Sequence, residues 1–149
     1  MNIYFICTGN TCRSPMAAAI LGNKNLEGVE VRSAGIYAIE GSPMSQNAKD
    51  VLNQENIKHN HKSSIINEQD VIWADLILTM TSAHKEQVLR MAKEAQGKTY
   101  TLLEYAMPHN GVDIHDPFGG DLFVYEQTFE QLNEAINSLE KKLTLEEKL

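Results

Sequence analysis

The first fifteen residues combine an apolar segment with a polar loop that contains a glycine, and residues 2–15 read NIYFICTGNTCRSP. Residues 2–6 are apolar and rich in β-branched and aromatic side chains, which predicts a buried strand. Pro15 suits the first position of a helix that would run to about Asn25, with Ser14 as its N-cap. The loop between them therefore connects the carboxyl end of a strand to the amino end of a helix.

The rest of the chain continues to alternate between strand-like and helix-like segments. We predict strands at 29–33, 75–80 and 98–103, helices from Ser42-Pro43 to about Glu55, from Asn67 or Asp70 through Trp73, over about 83–95 and over about 121–143, and a long loop at 104–120. Strands separated by helices form right-handed βαβ units. The predicted fold class is therefore α/β, a three-layer αβα arrangement around a four-stranded parallel sheet with flavodoxin-like or Rossmann-like topology. Ligands of such sheets bind beyond the carboxyl ends of the strands, where this loop lies.

Length and composition indicate one globular domain over residues 1–149, because 42% of the residues are apolar and 22% are charged. The net charge of −7 argues against a nucleic-acid partner, which requires a basic face. The apolar run at the amino terminus is too short for a signal peptide, and no apolar stretch approaches the length that spans a membrane. With two cysteines and no disulfide pattern, we expect a cytoplasmic monomer without a membrane partner.

The loop carries the residue types of an anion-binding site. Gly9 lets the backbone curl so that successive N–H groups point inward, and a helix amino terminus carries partial positive charge. Arg13 offers a planar fork of donors to two phosphoryl oxygens. Asn10 and Ser14 can hold the loop in shape, and Ser14 can also donate to a thiolate. At the floor of this cup, Cys7 is expected to have a lowered pKa and to attack a bound phosphorus atom.

Turnover also requires a proton for the leaving group and an activated water molecule, and one carboxyl group can supply both. Asp116, in the segment HDPFGG, is the best candidate. Pro117 stiffens the chain beside it, and Gly119-Gly120 lets the loop turn back over the pocket. Asp113 and Asp121 lack this context and are weaker candidates.

Taken together, CTGNTCRS near the amino terminus, RSAG, DLILTM and the late DPFGG resemble the low-molecular-weight protein phosphatase family along the whole chain. The resemblance implies a phosphocysteine intermediate on Cys7, phosphate binding by Arg13 and the backbone of residues 8–13, and Asp116 as general acid and then base. It implies phosphorylated proteins as substrates, inorganic phosphate as product, and neither a metal nor another cofactor. The expected substrate- and phosphate-binding residues are Thr8, Gly9, Asn10, Thr11, Cys12, Ser14 and Phe118.

Two sites depart from the tyrosine-specific members of that family. Thr11 stands where those members carry an aliphatic residue, and Phe118 and Gly119 replace a pair of tyrosines. Threonine at this position is similar to the bacterial protein-arginine phosphatases of the same family. An aliphatic wall would leave guanidinium N–H groups of phosphoarginine unpaired, at a cost of about 1–3 kcal/mol, whereas a phenol ring prefers such a wall. Phe118 either stacks on the guanidinium or packs against the protein.

Three other functions stay open at this point. A protein-tyrosine phosphatase of the same family would differ in sequence mainly at the position of Thr11. A redox enzyme, like the arsenate reductases that share this fold and loop, would need further cysteines, and the sequence has none after Cys12. A non-catalytic phosphate-binding or phosphocarrier module would not need a general acid, so Asp116 argues against it.

Several residues have alternative roles that the sequence does not separate. Cys12 is either a neighbour of Cys7 or its reversible disulfide partner under oxidation. His59 and His61 stand two apart among basic neighbours, which is typical of solvated side chains rather than metal ligands. Tyr37, like Phe118, is a candidate for the mouth of the pocket.

Overall fold

The computed structural model describes the backbone of residues 1–148 and the side chains of residues 1–145. Across this part of the chain, the strands are β1 (Asn2–Cys7), β2 (Glu30–Gly35), β3 (Leu76–Thr79) and β4 (Thr99–Thr101). The helices are α1 (Arg13–Asn23), α2 (Gln46–Gln54), α3 (Glu68–Trp73), α4 (Ser82–Met91), α5 (Leu102–Ala106) and α6 (Leu122–Lys148).

The strands form one parallel sheet in the order β2-β1-β3-β4. This order confirms the predicted α/β fold with a four-stranded parallel sheet and flavodoxin-like topology. The register sets Cys7 beside Gly35 of β2 and Ile6 beside Thr79 of β3. The first strand is therefore central, and its carboxyl end lies between the ends of both neighbours.

Alternate side chains of β1 enter two different cores, because a strand points successive residues to opposite faces. Ile3, Phe5 and Cys7 belong to the core that includes residues of α1, α2, α5 and α6. Tyr4 and Ile6 belong to the core that includes residues of α3 and α4. All five side chains are buried, which gives the three layers and directs the Cys7 thiol toward the α1 side.

The first helix begins earlier than the sequence predicts. It starts at Arg13 rather than Pro15, and Cys12 holds the N-cap position without a side-chain cap bond. The prediction that Ser14 is the N-cap is therefore wrong. The Ser14 side chain lies inside the loop, within hydrogen-bond distance of Cys7 Sγ, and so it is not free to cap the helix.

The strand predicted at 98–103 divides into β4 and the short helix α5. β4 ends at Thr101, whose hydroxyl accepts a hydrogen bond from the Glu104 backbone N–H at 3.1 Å and caps α5. The spacing of Thr101 and Glu104 is that of a capping box, so the sequence carries a signal for this helix. The loop predicted at 104–120 therefore begins later, after Ala106, where α5 ends.

Other helix ends shift for local reasons. The helix predicted from Ser42-Pro43 begins at Gln46, because the Ser42 carbonyl is held by the Ser63 backbone N–H at 2.9 Å. The helix predicted over 83–95 ends at Met91 and is followed by a short 3-10 turn. Asn67 caps α3 as predicted, since its side chain accepts from the Asp70 N–H at 2.8 Å. In the described chain, no helix combines the length and the apolar character needed to cross a membrane.

Gly35 ends β2 in close contact with the loop that follows β1. A Cβ atom at this position would lie 2.4 Å from the Thr8 carbonyl oxygen and 2.9 Å from the Asn10 nitrogen. Both neighbours are backbone atoms, which cannot move aside as a flexible side chain can. The position therefore requires glycine because of close approach.

We predict that Gly35→Ala lowers the free energy of unfolding by about 1–3 kcal/mol, because the added methyl group overpacks the site. Urea denaturation of the purified variant measures this change. Gly22→Ala is the matched control, because a Cβ there meets nothing within 4 Å and alanine favours the helix by about 0.5–1 kcal/mol. Equal stability of the two variants would contradict the packing argument.

Candidate active site

The loop that follows β1 is held from outside through its carbonyl oxygens. The Thr8 carbonyl accepts from the Tyr37 backbone N–H at 2.9 Å, and the Thr11 carbonyl accepts from the Ser45 backbone N–H at 3.0 Å. Tyr37 lies just after β2, and Ser45 lies just before α2. With its carbonyl groups engaged on the outside, the loop can keep backbone N–H groups on its inner side.

The Asn10 backbone adopts a left-handed conformation within the loop. Its φ of 57° lies in the left-handed region, and the residue is fully buried. Its carbonyl accepts two hydrogen bonds, from Ser63 Oγ at 2.7 Å and from His61 Nε2 at 2.6 Å. His61 is therefore a support of the loop, and the prediction that it is a solvated side chain is wrong. Burial lowers the pKa of His61, which keeps its ring neutral.

The Asn10 side chain connects the loop to the nucleophile candidate. Its Oδ1 accepts from the Ser64 backbone N–H at 3.0 Å, which fixes the orientation of the amide. Its Nδ2 then donates to Ser33 Oγ at 3.0 Å and to Ser14 Oγ at 2.7 Å. Because Ser14 Oγ accepts from Asn10, its own proton is available to Cys7 Sγ, which lies 2.7 Å away.

Cys7 ends β1 at the floor of the cup, and its side chain is 3% exposed. Burial raises the pKa of the thiol above its ordinary value. The hydroxyl and N–H groups of Ser14, the N–H group of Asn10 and the charge of Arg13 lower it. The predicted lowering of the pKa is therefore not found: the donors act in the expected direction, but the burial of the thiol outweighs them.

Arg13 lies in the first turn of α1 and is almost completely buried. Its Nη1 donates to the Ile114 carbonyl at 3.1 Å, and its Nη2 lies 3.6 Å from Asp116 Oδ2. The Ile114 N–H in turn donates to the Met80 carbonyl just after β3, at 2.8 Å. The guanidinium is thus held between the cup and the later loop that carries Asp116.

Asp116 and Phe118 form the outer part of the site. Asp116 Oδ1 accepts from the Phe118 N–H at 3.0 Å, and the Asp116 side chain is 57% exposed. Gly119 has a φ of 80°, and the Gly120 N–H donates to the Pro117 carbonyl at 2.8 Å, which closes a tight turn. Phe118 is 81% exposed, so the alternative that it packs against the protein is wrong.

The two weaker carboxyl candidates have structural partners elsewhere. Asp113 Oδ1 accepts from the Ser82 N–H at 2.8 Å, at the start of α4. Asp121 Oδ1 accepts from the Val124 N–H at 3.1 Å, at the start of α6. Both therefore satisfy backbone N–H groups in the first turn of a helix.

A cleft of about 250 Å³ opens above Cys7 and brings most of the predicted residues together. Its lining consists of Cys7, Thr8, Gly9, Asn10, Thr11, Cys12, Arg13, Asp116 and Phe118. Ser14 lies behind the nucleophile candidate rather than in the lining, and Tyr37 is also outside it. A second cleft of about 370 Å³, between α1 and residues 58–64, contains neither cysteine, so we place the candidate site in the first.

Cys12 lies beside a tyrosine that the sequence did not indicate. Its sulfur is 3.3 Å from Tyr125 Oη and 3.5 Å from Ser45 Oγ, and Thr11 Oγ1 is 3.6 Å away. Burial and the Cys12 contact raise the pKa of Tyr125. Both cysteines are free thiols in this structure, so their pairing under oxidation stays a prediction.

His84, in the first turn of α4, is another residue that sequence reasoning missed. Its Nε2 lies 2.8 Å from Thr8 Oγ1, and its side chain is buried. Burial and the charge of Arg13 lower the pKa of His84 to about 4, although Asp113 and Asp116 act in the opposite direction. His61, Ser63 and His84 lie 51, 53 and 76 positions along the chain from the loop residues that they contact, and no local sequence pattern connects them to the loop.

Comparisons with known proteins agree with this geometry. The family described as low molecular weight phosphotyrosine protein phosphatase matches residues 2–149. A protein-arginine-phosphatase of Geobacillus stearothermophilus is 48% identical over 145 residues, which cover 97% of each chain. A low-molecular-weight protein-tyrosine-phosphatase, PtpB of Staphylococcus haemolyticus, is 41% identical over 139 residues, covering 93% of this chain and 97% of that one.

A solved structure extends the likeness to the backbone. It is described as a YwlE arginine phosphatase, a C7S mutant with a phosphorylated active site serine. The two chains are 39% identical and superimpose with a TM-score of 0.91, covering 97% of this chain and 96% of the other. The match over nearly the full length, in sequence and in fold, shows that this chain belongs to the low-molecular-weight phosphotyrosine protein phosphatase family.

Proposed function

We propose that this protein is a protein-arginine phosphatase, which removes the phosphoryl group from phosphoarginine side chains of proteins through a phosphocysteine on Cys7. The observation that carries the proposal is the cleft itself, with a thiol at its floor, a buried arginine at its wall and a carboxyl group at its mouth. The phosphorylated serine in the YwlE variant supports a covalent intermediate at the equivalent position.

In the first step, the Cys7 thiolate attacks phosphorus while the bond from phosphorus to the arginine nitrogen breaks. Arg13 and the loop N–H groups bind the equatorial phosphoryl oxygens, where negative charge develops. The Asp116 carboxyl group gives its proton to the departing nitrogen. Asp116 is exposed at the mouth and lies 3.6 Å from Arg13, so it is close to the phosphoryl site and open to an incoming side chain.

In the second step, the Asp116 carboxylate accepts a proton from a water molecule, whose oxygen attacks phosphorus as the bond to sulfur breaks. Inorganic phosphate leaves, and the thiolate and the carboxylic acid are restored. The same group thus serves as acid and then as base. Ser14 stabilises the thiolate both before attack and as the leaving group, because its hydroxyl is aimed at the sulfur.

The preference for phosphoarginine rests on Thr11. Its side chain lines the cleft, and in the described chain its hydroxyl contacts only the weakly polar Cys12 sulfur, at 3.6 Å. It is therefore available to accept from a guanidinium N–H, a contact that an aliphatic residue cannot make. The 48% sequence identity to the protein-arginine-phosphatase of Geobacillus stearothermophilus supports this choice.

A protein-tyrosine phosphatase is the second candidate, and the similarity to PtpB of Staphylococcus haemolyticus favours it. We prefer phosphoarginine because the Thr11 hydroxyl places a hydrogen-bonding group in the cleft where an aliphatic side chain would offer none. The remaining proposals are that phosphorylated proteins are the only macromolecular partners, without nucleic acid or membrane, and that the enzyme is a cytoplasmic monomer. The two free thiols support a reducing compartment.

Replacing Ser14 by alanine tests the support of the thiolate. Because the Ser14 hydroxyl lowers the pKa of Cys7, its removal raises that pKa and leaves less thiolate at neutral pH. We expect iodoacetamide to inactivate the Ser14→Ala variant about tenfold more slowly at pH 7, since hydrogen bonds to charged groups contribute about 1.5–3 kcal/mol. The profile of rate against pH should move to higher pH. A Cys12→Ser background removes the second thiol, and an unchanged profile would contradict the role of Ser14.

Replacing Asp116 by asparagine tests the acid and base role. We predict that kcat for a phosphoarginine peptide falls by about 10²–10⁴, because asparagine cannot transfer a proton. Asp113→Asn is the matched control, since its amide oxygen can still accept from Ser82 and its turnover should stay near the original. Steady-state phosphate release measures both variants. Comparable losses in the two would argue against Asp116 as the proton donor.

Replacing Thr11 by isoleucine tests the substrate class. We expect kcat/KM for a phosphoarginine peptide to fall by about 5- to 150-fold relative to a phosphotyrosine peptide, corresponding to about 1–3 kcal/mol for an unpaired N–H group. Thr11→Ser retains the hydroxyl and should retain the preference. If the original protein prefers phosphotyrosine, the tyrosine phosphatase takes the place of our proposal.

A further inference from the structure

The Thr8 hydroxyl lies in the cleft and has a buried polar partner, His84, on a helix outside the cleft lining. Thr8 Oγ1 lies 2.8 Å from His84 Nε2, and Thr8 lines the cleft whereas His84 does not. His84 is 6% exposed, and its backbone N–H is held by Thr81 Oγ1 at 3.1 Å. The imidazole is therefore buried on α4, behind the wall of the cleft.

The surroundings of the ring determine which nitrogen carries the proton. Nδ1 of His84 is buried and has no hydrogen-bond partner among the residues that the structure describes. Nδ1 lacks a partner among these residues in either tautomer, but a buried N–H donor without an acceptor is rarer in proteins than a buried acceptor without a donor. Burial and the Arg13 charge keep the ring neutral at pH 7, so it carries one proton. We assign that proton to Nε2, which then donates to Thr8 Oγ1.

This direction fixes the role of the Thr8 hydroxyl. Since Thr8 Oγ1 accepts from His84, its own proton points away from the ring, and no second partner for it occurs within the described residues. We propose that His84 is a positioning residue that turns the Thr8 hydroxyl proton into the cleft, where it donates to an oxygen of the bound phosphoryl group. The inference rests on the proposed function, because the phosphoryl group is the acceptor.

The arrangement adds a neutral donor to a site that already holds the charge of Arg13. A donor oriented before the substrate arrives costs no reorganisation during the reaction, and it strengthens as charge develops on the phosphoryl oxygens. His84 does not touch the substrate and acts only through Thr8. Loss of either group should therefore have the same effect on the binding of phosphate.

The test is a double-mutant cycle read out by calorimetric binding of inorganic phosphate to the full chain. We expect Thr8→Val to weaken phosphate binding about tenfold, as for a hydrogen bond to a charged group. His84→Leu should weaken it by a similar factor, and the double variant no further. Thr8→Ser and His84→Gln, which keep the hydroxyl and a side-chain N–H donor, should restore binding.

Additive losses in the double variant, or unchanged binding by Thr8→Val, would overturn the inference. If His84→Leu does not fold, the tautomer of His84 in the original protein tests the proposal instead. Nitrogen-15 spectra should then show the ring proton on Nε2. A proton on Nδ1 would contradict the proposal. Failure of the original protein to bind phosphate at all would instead overturn the proposed function. The two failures are therefore distinguishable.

Discussion

The site depends on one backbone carbonyl group, that of Asn10, which points away from the cleft and is stabilised there by hydrogen bonds. A loop that binds an anion with its backbone must turn its N–H groups inward, which forces its carbonyl groups outward. At Asn10 the chain achieves this with a φ of 57°, in the left-handed region that few residues besides glycine adopt and that asparagine tolerates best. His61 and Ser63 both donate to this buried carbonyl, and their hydrogen bonds stabilise the left-handed backbone.

Several distant parts of the chain meet at this loop because of that requirement. Gly35 lets the end of β2 approach the loop backbone, and Ser33 of the same strand accepts from the Asn10 amide. The segment 61–64 then covers the same side of the loop and supplies the donors. The floor of the site is in this way buried and held by hydrogen bonds, whereas its mouth, formed by Asp116 and Phe118, is largely exposed. A buried floor suits a small phosphoryl group, and an open mouth suits the side chain of a folded or unfolded protein.

The sequence predicts the parts of this arrangement that are local. Residues 2–15 contain a buried strand, a turn and a helix start, and the spacing of Cys7 and Arg13 is sufficient to propose a phosphate cup. Asp116 could be found because proline and glycines surround it. The α/β order follows from the alternation of apolar segments, and the parallel sheet confirms it.

The rest could not be read from the sequence for physical reasons. His61 and His84 act through tertiary contacts with the loop, and nothing in their local patterns distinguishes them from surface residues. The pKa of Cys7 depends on how completely the thiol is buried, and a loop motif contains no measure of burial. The start of α1 at Arg13 follows from the use of Ser14 inside the loop, which a capping rule does not anticipate.

The most direct measurement of the central claim is the identity of the phosphorylated residue during turnover. The protein would be mixed with a phosphoarginine peptide, quenched in acid within the first turnover, digested and examined by mass spectrometry. Our account predicts one phosphoryl group on the peptide that contains Cys7, bound to sulfur, and none after turnover is complete. A phosphoryl group on another residue, or phosphate released with no phosphorylated protein at any time, would contradict it.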